Sequence, residues 1–148
     1  MTLFVELIAV AVLILLNGYF VAAEYGLVTV RRTRMAELAQ QEHDRRARQV
    51  QMITDSPPRF IAAMQLGVTL TSLAIGALGE HALARVFDPF LATVVAVVLA
   101  YLILTFLHVV IGELVPKAVA LRYSERVALA VSTPVRIFFV VTRPLIWL

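Results

Sequence analysis

The sequence predicts an all-α membrane protein with three transmembrane helices, amphipathic helices beside the membrane and the N-terminus outside. Three observations carry this prediction: 61% of the 148 residues are hydrophobic, only 16% are charged, and the charges divide the chain into long apolar runs. An ordinary globular chain has about 45–50% apolar and about 25% charged residues. The excess apolar surface must face lipid, which excludes a soluble domain.

Three apolar runs are each long enough to cross a membrane. Residues 7–30 contain one acid, Glu24, and residues 60–79 and 90–112 contain no charge. A helix that crosses the hydrocarbon core needs about 20 apolar residues, so each run is predicted to be a span. The first is interpreted as a retained span rather than a cleaved signal peptide, because its positive charges follow the apolar run.

Basic residues set the predicted orientation. Of the thirteen Lys and Arg residues, seven lie in residues 31–59 and five from Lys117 onward, which leaves Arg85 alone in segment 80–89. The positive-inside rule then places segment 80–89 outside, as a short loop, and the other two regions in the cytoplasm. The net charge of +3 follows from this asymmetry, so no nucleic-acid partner is expected. The chain is predicted to be a multi-pass protein of the inner (plasma) membrane.

The charged segment 31–54 is predicted to be a helix at the inner leaflet. It contains no Gly or Pro and mixes many charges with a few apolar side chains, as interfacial helices do. Asp55 and the Pro57–Pro58 pair are expected to end this helix and to open the second span. The apolar side chains of the segment are Met35, Leu38, Val50 and Ile53.

The last segment, residues 124–148, is apolar but is interrupted by arginines and prolines. A fourth crossing would bury Arg136 near the middle of the membrane, at a cost of about 2.5–3.5 kcal/mol. Two short amphipathic pieces in the cytoplasmic interface are therefore favoured over a fourth span. Residues 1–148 are accordingly predicted to form a single transmembrane domain.

Polar side chains inside the spans are the candidate functional residues, because protein, water or a ligand must satisfy each of them. Helical spacing places them on one face of each span. The sets are Asn17 and Glu24 in the first span, Gln65, Thr69, Ser72 and Gly76 in the second, and Thr105, His108 and Gly112, followed by Glu113, in the third.

Two backbone features accompany these side chains. Gly18, Ala22 and Gly26 lie four residues apart, a spacing that allows close helix approach within the chain or in a dimer. Pro116 has no N–H, so the carbonyl of Gly112 loses its partner within the helix and is left beside Glu113.

Glu24 and Glu113 are expected at similar depths in the cytoplasmic half of the membrane. Glu24 lies seven residues before Arg31, or about 10 Å, and Glu113 lies four before Lys117, or about 6 Å. Carboxylates so placed repel each other, so one is protonated unless a cation or a basic side chain lies between them. Oxygen donors without cysteine favour a hard ion such as Mg²⁺, Ca²⁺ or Na⁺. The alternative is a structural ion pair of Glu113 with Lys117, Arg122 or Arg31.

Three motifs resemble the transmembrane domain of the CNNM/CorC family. They are NGYFVAAEYGL at residues 17–27, MQLGVTL at 64–70 and GELVPK at 112–117. The resemblance covers essentially the whole chain and implies a homodimer in the lipid bilayer that exports Mg²⁺ coupled to Na⁺ uptake. It also implies cytoplasmic CBS modules that bind ATP. Because the chain stops before such modules, it is predicted to be an N-terminal piece of a longer protein.

The resemblance also implies roles for particular residues. Family members with a described Mg²⁺ site usually carry serines at the positions of Val21 and Ala23, and asparagines in the second motif. Coordination is therefore expected mainly from Glu113, then from Glu24 with Asn17. The hydroxyls of Thr69 and Ser72 and the carbonyl of Gly112 would complete the shell. Gln65, Thr105 and His108 are assigned to the pathway, and Gly18, Ala22, Gly26, Gly67, Pro116 and Lys117 to structure.

Other functions stay open at this level. The chain contains no phosphate-binding glycine loop, nucleophile elbow or zinc-protease histidine pair, so no enzymatic activity and no cofactor are predicted. The alternatives to Mg²⁺ export are a membrane-embedded sensor or anchor that regulates another transporter, and a different Na⁺- or H⁺-linked transporter. The discriminating observation is whether the polar faces of the second and third spans share one cavity with the carboxylates.

Overall fold

The apolar runs of the sequence fold into long helices. The structure is a computed structural model that describes residues 2–41, 43–87 and 93–146. Every regular element within those residues is helical: α1 (Leu3–Thr29), α2 (Arg32–Gln40), α3 (Arg45–Thr54), α4 (Pro57–Phe87), α5 (Thr93–Leu107), a π-helical segment (His108–Leu114), α6 (Val115–Arg122) and α7 (Ser124–Ile146).

Three helical stretches are long and apolar enough to cross a membrane, which confirms the predicted fold class. They are α1, α4 and the stretch Thr93–Arg122, here called the third span, in which α5, the π-helical segment and α6 follow one another. All three reach beyond the predicted limits of 7–30, 60–79 and 90–112 at one end or both. The predicted start of the third span, at residue 90, lies outside the described residues.

The second span runs further than the sequence predicted. Segment 80–89 was expected to be an external loop, but α4 continues through Phe87. No Gly or Pro interrupts it after Gly79, and Ala82 and Ala84 are buried. Arg85 donates from Nη1 to both carboxylate oxygens of Glu6, at 3.0 and 2.9 Å, and so joins the end of α4 to the first turn of α1. The last two residues of the segment lie outside the described part of the chain.

The charged segment after α1 forms two helices instead of one. His43 has a φ of 53°, in the left-handed region that ends regular helix. Asp44 then caps α3 by accepting a hydrogen bond from the Arg46 N–H at 2.7 Å. The four apolar residues singled out in the sequence are all buried, in a cluster shared with α1, α4 and α7: Met35, Leu38, Val50 and Ile53. The segment therefore packs on the rest of the domain, and its position at the inner leaflet stays a prediction.

The last segment forms one helix, α7, where two short pieces were predicted. Pro134 lies inside α7 on its exposed side, where the carbonyl that it leaves without a partner has access to solvent or headgroups. The opposite face of α7 is buried against the rest of the domain: Ala128, Val131, Ser132 and Val135. Arg136 is exposed. The placement of α7 in the cytoplasmic interface stays a prediction.

Close helix packing depends on glycine at several positions. A Cβ at Gly18 would lie 2.9 Å from Pro116 Cγ in the third span, and one at Gly26 would lie 2.7 Å from Val127 Cγ1 in α7. A Cβ at Gly67 would lie 2.6 Å from the ring of Phe20. Gly18 and Gly26, two of the three small residues spaced four apart in α1, therefore both make contacts within one chain.

Candidate functional site: a carboxylate-lined cavity among the three spans

One cavity is bounded by all three spans. It has a volume of about 400 Å³ and contains both glutamates that the sequence singled out, Glu24 from α1 and Glu113 from the π-helical segment. Gln65 and Thr69 form the wall that α4 contributes. Apolar and aromatic side chains complete the lining: Val21, Tyr25, Val68 and Leu114. Of the predicted polar faces, Gln65 and Thr69 of the second span share this cavity with both carboxylates, whereas Thr105, His108 and Gly112 of the third span do not line it.

Among the described residues, one basic side chain lines this cavity. Lys117, one helical turn after Glu113, interacts electrostatically with both Glu24 and Glu113. Its ammonium Nζ lies 4.5 Å from the centroid of the Tyr25 ring, which is cation–π geometry. Among the described residues, no Lys or Arg nitrogen comes within 4.0 Å of either carboxylate. The two acids therefore lie near a basic group without forming a salt bridge with it.

The backbone of the third span widens at this cavity. Pro116 cannot donate a hydrogen bond to the carbonyl four residues before it, at Gly112. The helix adopts π geometry from His108 to Leu114, and Val115 N–H bonds to Val110 O, five residues back. Single π turns are frequent at functional sites because they shift the register of the side chains that follow. Here the π-helical segment contains Glu113 and ends at Leu114, before Lys117.

A fully buried asparagine satisfies the carbonyl that Pro116 leaves without a partner. Asn17 is 0% exposed, and its Nδ2 donates to Gly112 O at 3.1 Å. Because a carbonyl can only accept, the amide oxygen of Asn17 faces the other way, toward α4. It accepts there from Thr71 Oγ1 at 2.6 Å and from Ser72 Oγ at 3.2 Å. Asn17 therefore joins all three spans beneath the cavity.

Partly buried polar contacts continue from Asn17 toward the cavity through a histidine. Ser72 Oγ lies 3.3 Å from His108 Nε2, and that nitrogen lies 3.7 Å from Glu113 Oε1. Either atom is the donor in this contact, according to which ring nitrogen of His108 carries hydrogen. The side chain of Glu113 is 44% exposed, against 18% for His108. The carboxylate of Glu113 thus sits between the polar interior and the open cavity.

The structure separates the predicted site residues into two groups. Glu113, Glu24, Thr69, Gln65 and Lys117 line the cavity. Asn17, Ser72, Gly112 and His108 lie in the adjoining hydrogen-bonded layer, where the side-chain oxygen of Asn17 and the carbonyl of Gly112 already accept hydrogen bonds from protein.

Some predicted residues lie away from both groups. Thr105 is exposed and is not a lining residue of this cavity. Regular helical spacing had put it on the face of His108, but the π-helical turn changes the register between Thr105 and Glu113. Gly76 is exposed as well, with open space where a Cβ would lie.

Two residues of the site were not singled out from the sequence. Thr71 lies one residue before Ser72, which places its side chain about 100° around the helix from the polar face of the second span. Helical spacing therefore did not include it among the candidate residues. Tyr25 belongs to the first motif, but an aromatic ring next to an apolar run gives no local signal of a contact with Lys117 from a distant span.

In the described part of the chain, no three His, Asp or Glu side chains form a group suited to hold a metal ion. The cavity of about 400 Å³ is lined instead by the carboxylates of Glu24 and Glu113, the amide of Gln65 and the hydroxyl of Thr69. So few ligands suit an ion that keeps part of its water. Mg²⁺ has that preference, since it sheds water reluctantly and is commonly held by one or two carboxylates.

Known proteins resemble this chain along nearly its whole length. The family model described as "Cyclin M transmembrane N-terminal domain" (CNNM) matches residues 7–148. Two proteins of Bacillus subtilis, UPF0053 protein YhdT and UPF0053 protein YhdP, are each 39% identical to it over 97% of the chain. A protein of Haemophilus influenzae named "Polyamine export protein" is 30% identical over 99% of the chain. The chain spans about one third of the length of these relatives: 33%, 34% and 36%.

Proposed function

The chain belongs to the CNNM family of membrane proteins, and from that membership and the shared cavity we propose that it forms the ion pathway of a Mg²⁺ exporter coupled to Na⁺ uptake. The observation that carries the proposal is that Glu24 and Glu113, from different spans, line one cavity. Two carboxylates in a membrane interior are costly unless a cation compensates them. A divalent cation matches their combined charge.

The size of the cavity supports an ion that is still partly hydrated. Water occupies about 30 Å³ per molecule in the liquid, so six waters of an octahedral Mg²⁺ fill roughly 180 Å³. The cavity, at about 400 Å³, has room for such an ion with some of its waters replaced by carboxylate, amide or hydroxyl oxygens. Binding through a few direct ligands is weak enough to permit release, which transport requires.

Lys117 supplies a mechanism for exchange. With no ion bound, its ammonium compensates part of the charge of Glu24 and Glu113, and a Mg²⁺ ion that binds both carboxylates repels it. The ammonium already lies 4.5 Å from the centroid of the Tyr25 ring, and this contact stabilises it in the lining beside the carboxylates. With Lys117 in the lining, the two carboxylates are balanced when one Na⁺ is bound, whereas one Mg²⁺ leaves a net charge of about +1 by formal charges. The positive charge of Lys117 therefore favours replacement of Mg²⁺ by Na⁺.

A polyamine is the second candidate substrate, on two observations. One relative carries the name "Polyamine export protein". The position of Lys117 over Tyr25, beside two carboxylates, is also the arrangement that an alkylammonium ligand would adopt, because aromatic faces and carboxylates both bind ammonium groups.

The test is the substitution Glu113→Gln in the full-length protein, with Glu80→Gln as the matched control. Both changes remove one carboxylate and keep the shape of the side chain, but Glu80 lies at the far end of α4 and is exposed. Liposomes that contain each variant are assayed for Mg²⁺ flux with and without a Na⁺ gradient and, separately, for putrescine flux. Purified protein is heated with and without Mg²⁺.

Glu113→Gln is expected to abolish Mg²⁺ flux and to shrink the stabilisation by Mg²⁺, because a ligand stabilises by an amount set by its concentration relative to Kd. Glu80→Gln should behave like the wild type. Destabilisation of Glu113→Gln to the same extent with and without Mg²⁺ would instead identify a structural ion-pair partner, as in a sensor or anchor. Putrescine flux without Mg²⁺ flux in the wild type would favour the second candidate.

We also propose a homodimer as the assembly, with cytoplasmic CBS modules in the longer protein, as the family resemblance implies. Because Gly18 and Gly26 pack against Pro116 and Val127 of the same chain, the dimer contact has to use other surfaces of the spans. Mass measurement of the full-length protein in mild detergent and in lipid should give twice the chain mass. A monomer in both would contradict the proposal.

A further inference from the structure

A second cavity lies where the third span meets α7, and three arginines line it. Its volume is about 530 Å³, and Arg31, Arg122 and Arg126 border it together with Tyr123, Ser124 and Glu125. We call it the elbow pocket. We propose that the elbow pocket binds the phosphate of an anionic phospholipid of the inner leaflet, a function independent of the ion pathway.

The charge of the elbow pocket is strongly positive. In the part of the chain that the structure describes, no acidic side chain lies within 4.0 Å of the guanidinium groups of Arg31, Arg122 or Arg126. The single acid in the lining, Glu125, has a carboxylate oxygen 4.0 Å from Arg34 Nε, so its charge is partly compensated from outside the pocket. Three guanidinium groups around one cavity form a site for phosphate, which accepts paired hydrogen bonds from arginine.

The backbone adds further donors to the same place. Tyr123 leaves helical geometry, with φ −125° and ψ 42°, so α6 ends and α7 begins at the elbow pocket. Val127 N–H donates to Tyr123 O at 3.0 Å, across the start of α7. The first three residues of this 23-residue helix, Ser124, Glu125 and Arg126, line the pocket, and the helix dipole favours an anion at such a helix start.

The surroundings favour a lipid over a free anion. Arg31 follows the end of α1, and Arg122 ends the third span, and both ends are cytoplasmic in the predicted orientation, at the depth of phosphate headgroups. Apolar side chains are exposed beside the pocket and along the preceding turns of the third span: Leu121 at 51%, Val119 at 45% and Val115 at 53%. A phospholipid would place its phosphate among the arginines and its acyl chains along this apolar strip.

Such a lipid would hold three elements together. Arg31 belongs to the turn after α1, Arg122 to the third span and Arg126 to α7, so one phosphate bridges all three. The direction in which α7 leaves the membrane domain would then depend on the anionic lipid content of the membrane.

The experiment compares the double substitution R122Q/R126Q with the control R45Q/R46Q in the full-length protein. Both remove two exposed positive charges from the predicted cytoplasmic side, but Arg45 and Arg46 lie on α3, away from the elbow pocket. Each variant is placed in nanodiscs of phosphatidylcholine alone or mixed with phosphatidylglycerol, and Tm is measured. A third arm adds inorganic phosphate to the phosphatidylcholine discs.

Phosphatidylglycerol should raise the Tm of the wild type and of R45Q/R46Q, and should not raise that of R122Q/R126Q. An equal rise in both double variants would overturn the proposal, because the effect would then come from diffuse surface charge. A rise with inorganic phosphate that disappears in R122Q/R126Q would also overturn it, because the pocket would then take a free anion.

A second measurement keeps the proposal testable if R122Q/R126Q does not fold. Native mass spectrometry of the detergent-solubilised wild type should show retained phosphatidylglycerol, and Arg31→Gln should bind it about tenfold more weakly, the loss expected for one charge-assisted hydrogen bond. A wild type that retains no phosphatidylglycerol would refute the site.

Discussion

Replacing Asn17 by alanine tests whether the break at Pro116 depends on one buried side chain. The Nδ2 group of Asn17 is the donor that satisfies Gly112 O, and Pro116 has no N–H to replace it. Asn17→Ala therefore leaves a buried carbonyl without a hydrogen bond, at a cost of about 1–3 kcal/mol. In the membrane the loss of one interhelical bond averages about 0.6 kcal/mol, with a maximum near 1.7, so the lower half of the first range is expected.

The other two partners of Asn17 lose little in this variant. Thr71 Oγ1 lies 2.8 Å from Gly67 O and can turn its proton to it, and Ser72 keeps His108 at 3.3 Å. Thr71→Val should reduce the free energy of unfolding less than Asn17→Ala does, because Asn17 then keeps its hydrogen bonds with Ser72 and with Gly112 O. The two effects should be non-additive, since the residues share a hydrogen bond.

The free energy of unfolding of each variant can be measured by reversible denaturation in mixed micelles. Gln65→Ala is the control, because it also truncates an amide within a span, but at an exposed position on the cavity wall. If Asn17→Ala destabilised the domain no more than Gln65→Ala, Gly112 O would have another donor. Thr71→Val should destabilise the domain less than Asn17→Ala does. An equal cost would show that the hydrogen bond from Thr71 to Asn17 matters as much as the one from Asn17 to Gly112 O.

Two further predictions concern helix packing and topology. Gly26→Ala should destabilise the domain by about 1–3 kcal/mol through overpacking against the stiff side chain of Val127, whereas Gly76→Ala, where a Cβ meets open space, should be neutral or stabilising by up to about 1 kcal/mol. Equal thermal shifts for the two variants would contradict the close approach of α1 and α7. For topology, a cysteine at His81, unique because the chain has no other, should react with an impermeant thiol reagent in intact cells. Reaction only after permeabilisation would reverse the predicted orientation.

Much of the candidate site was predictable because its signals are local. A glutamate in an apolar run is conspicuous wherever it occurs. Proline has no N–H, so the sequence alone showed that Pro116 would leave the Gly112 carbonyl without a hydrogen bond within its helix. Asn17, which donates the hydrogen bond to this carbonyl, lies 95 residues away from it in the chain. The sequence grouped Asn17 with Glu24 on one face of α1, but only the packing of three spans shows that one side chain is buried in a hydrogen-bonded layer and the other borders a cavity.

The sequence by itself determined the number of spans, the fold class and the family, because lipid solvation acts on each apolar run separately and the motifs are contiguous. The tertiary structure decided what depends on contacts between runs. Thr105 is exposed in α5, and the π-helical segment between it and Lys117 changes the period of the helix that the sequence analysis had extended through Gly112. Segment 31–54 broke at His43 so that both halves could bury their apolar sides, and α7 stayed in one piece because a continuous face of it packs on the domain. Periodicity describes one helix in isolation, whereas these outcomes depend on what that helix packs against.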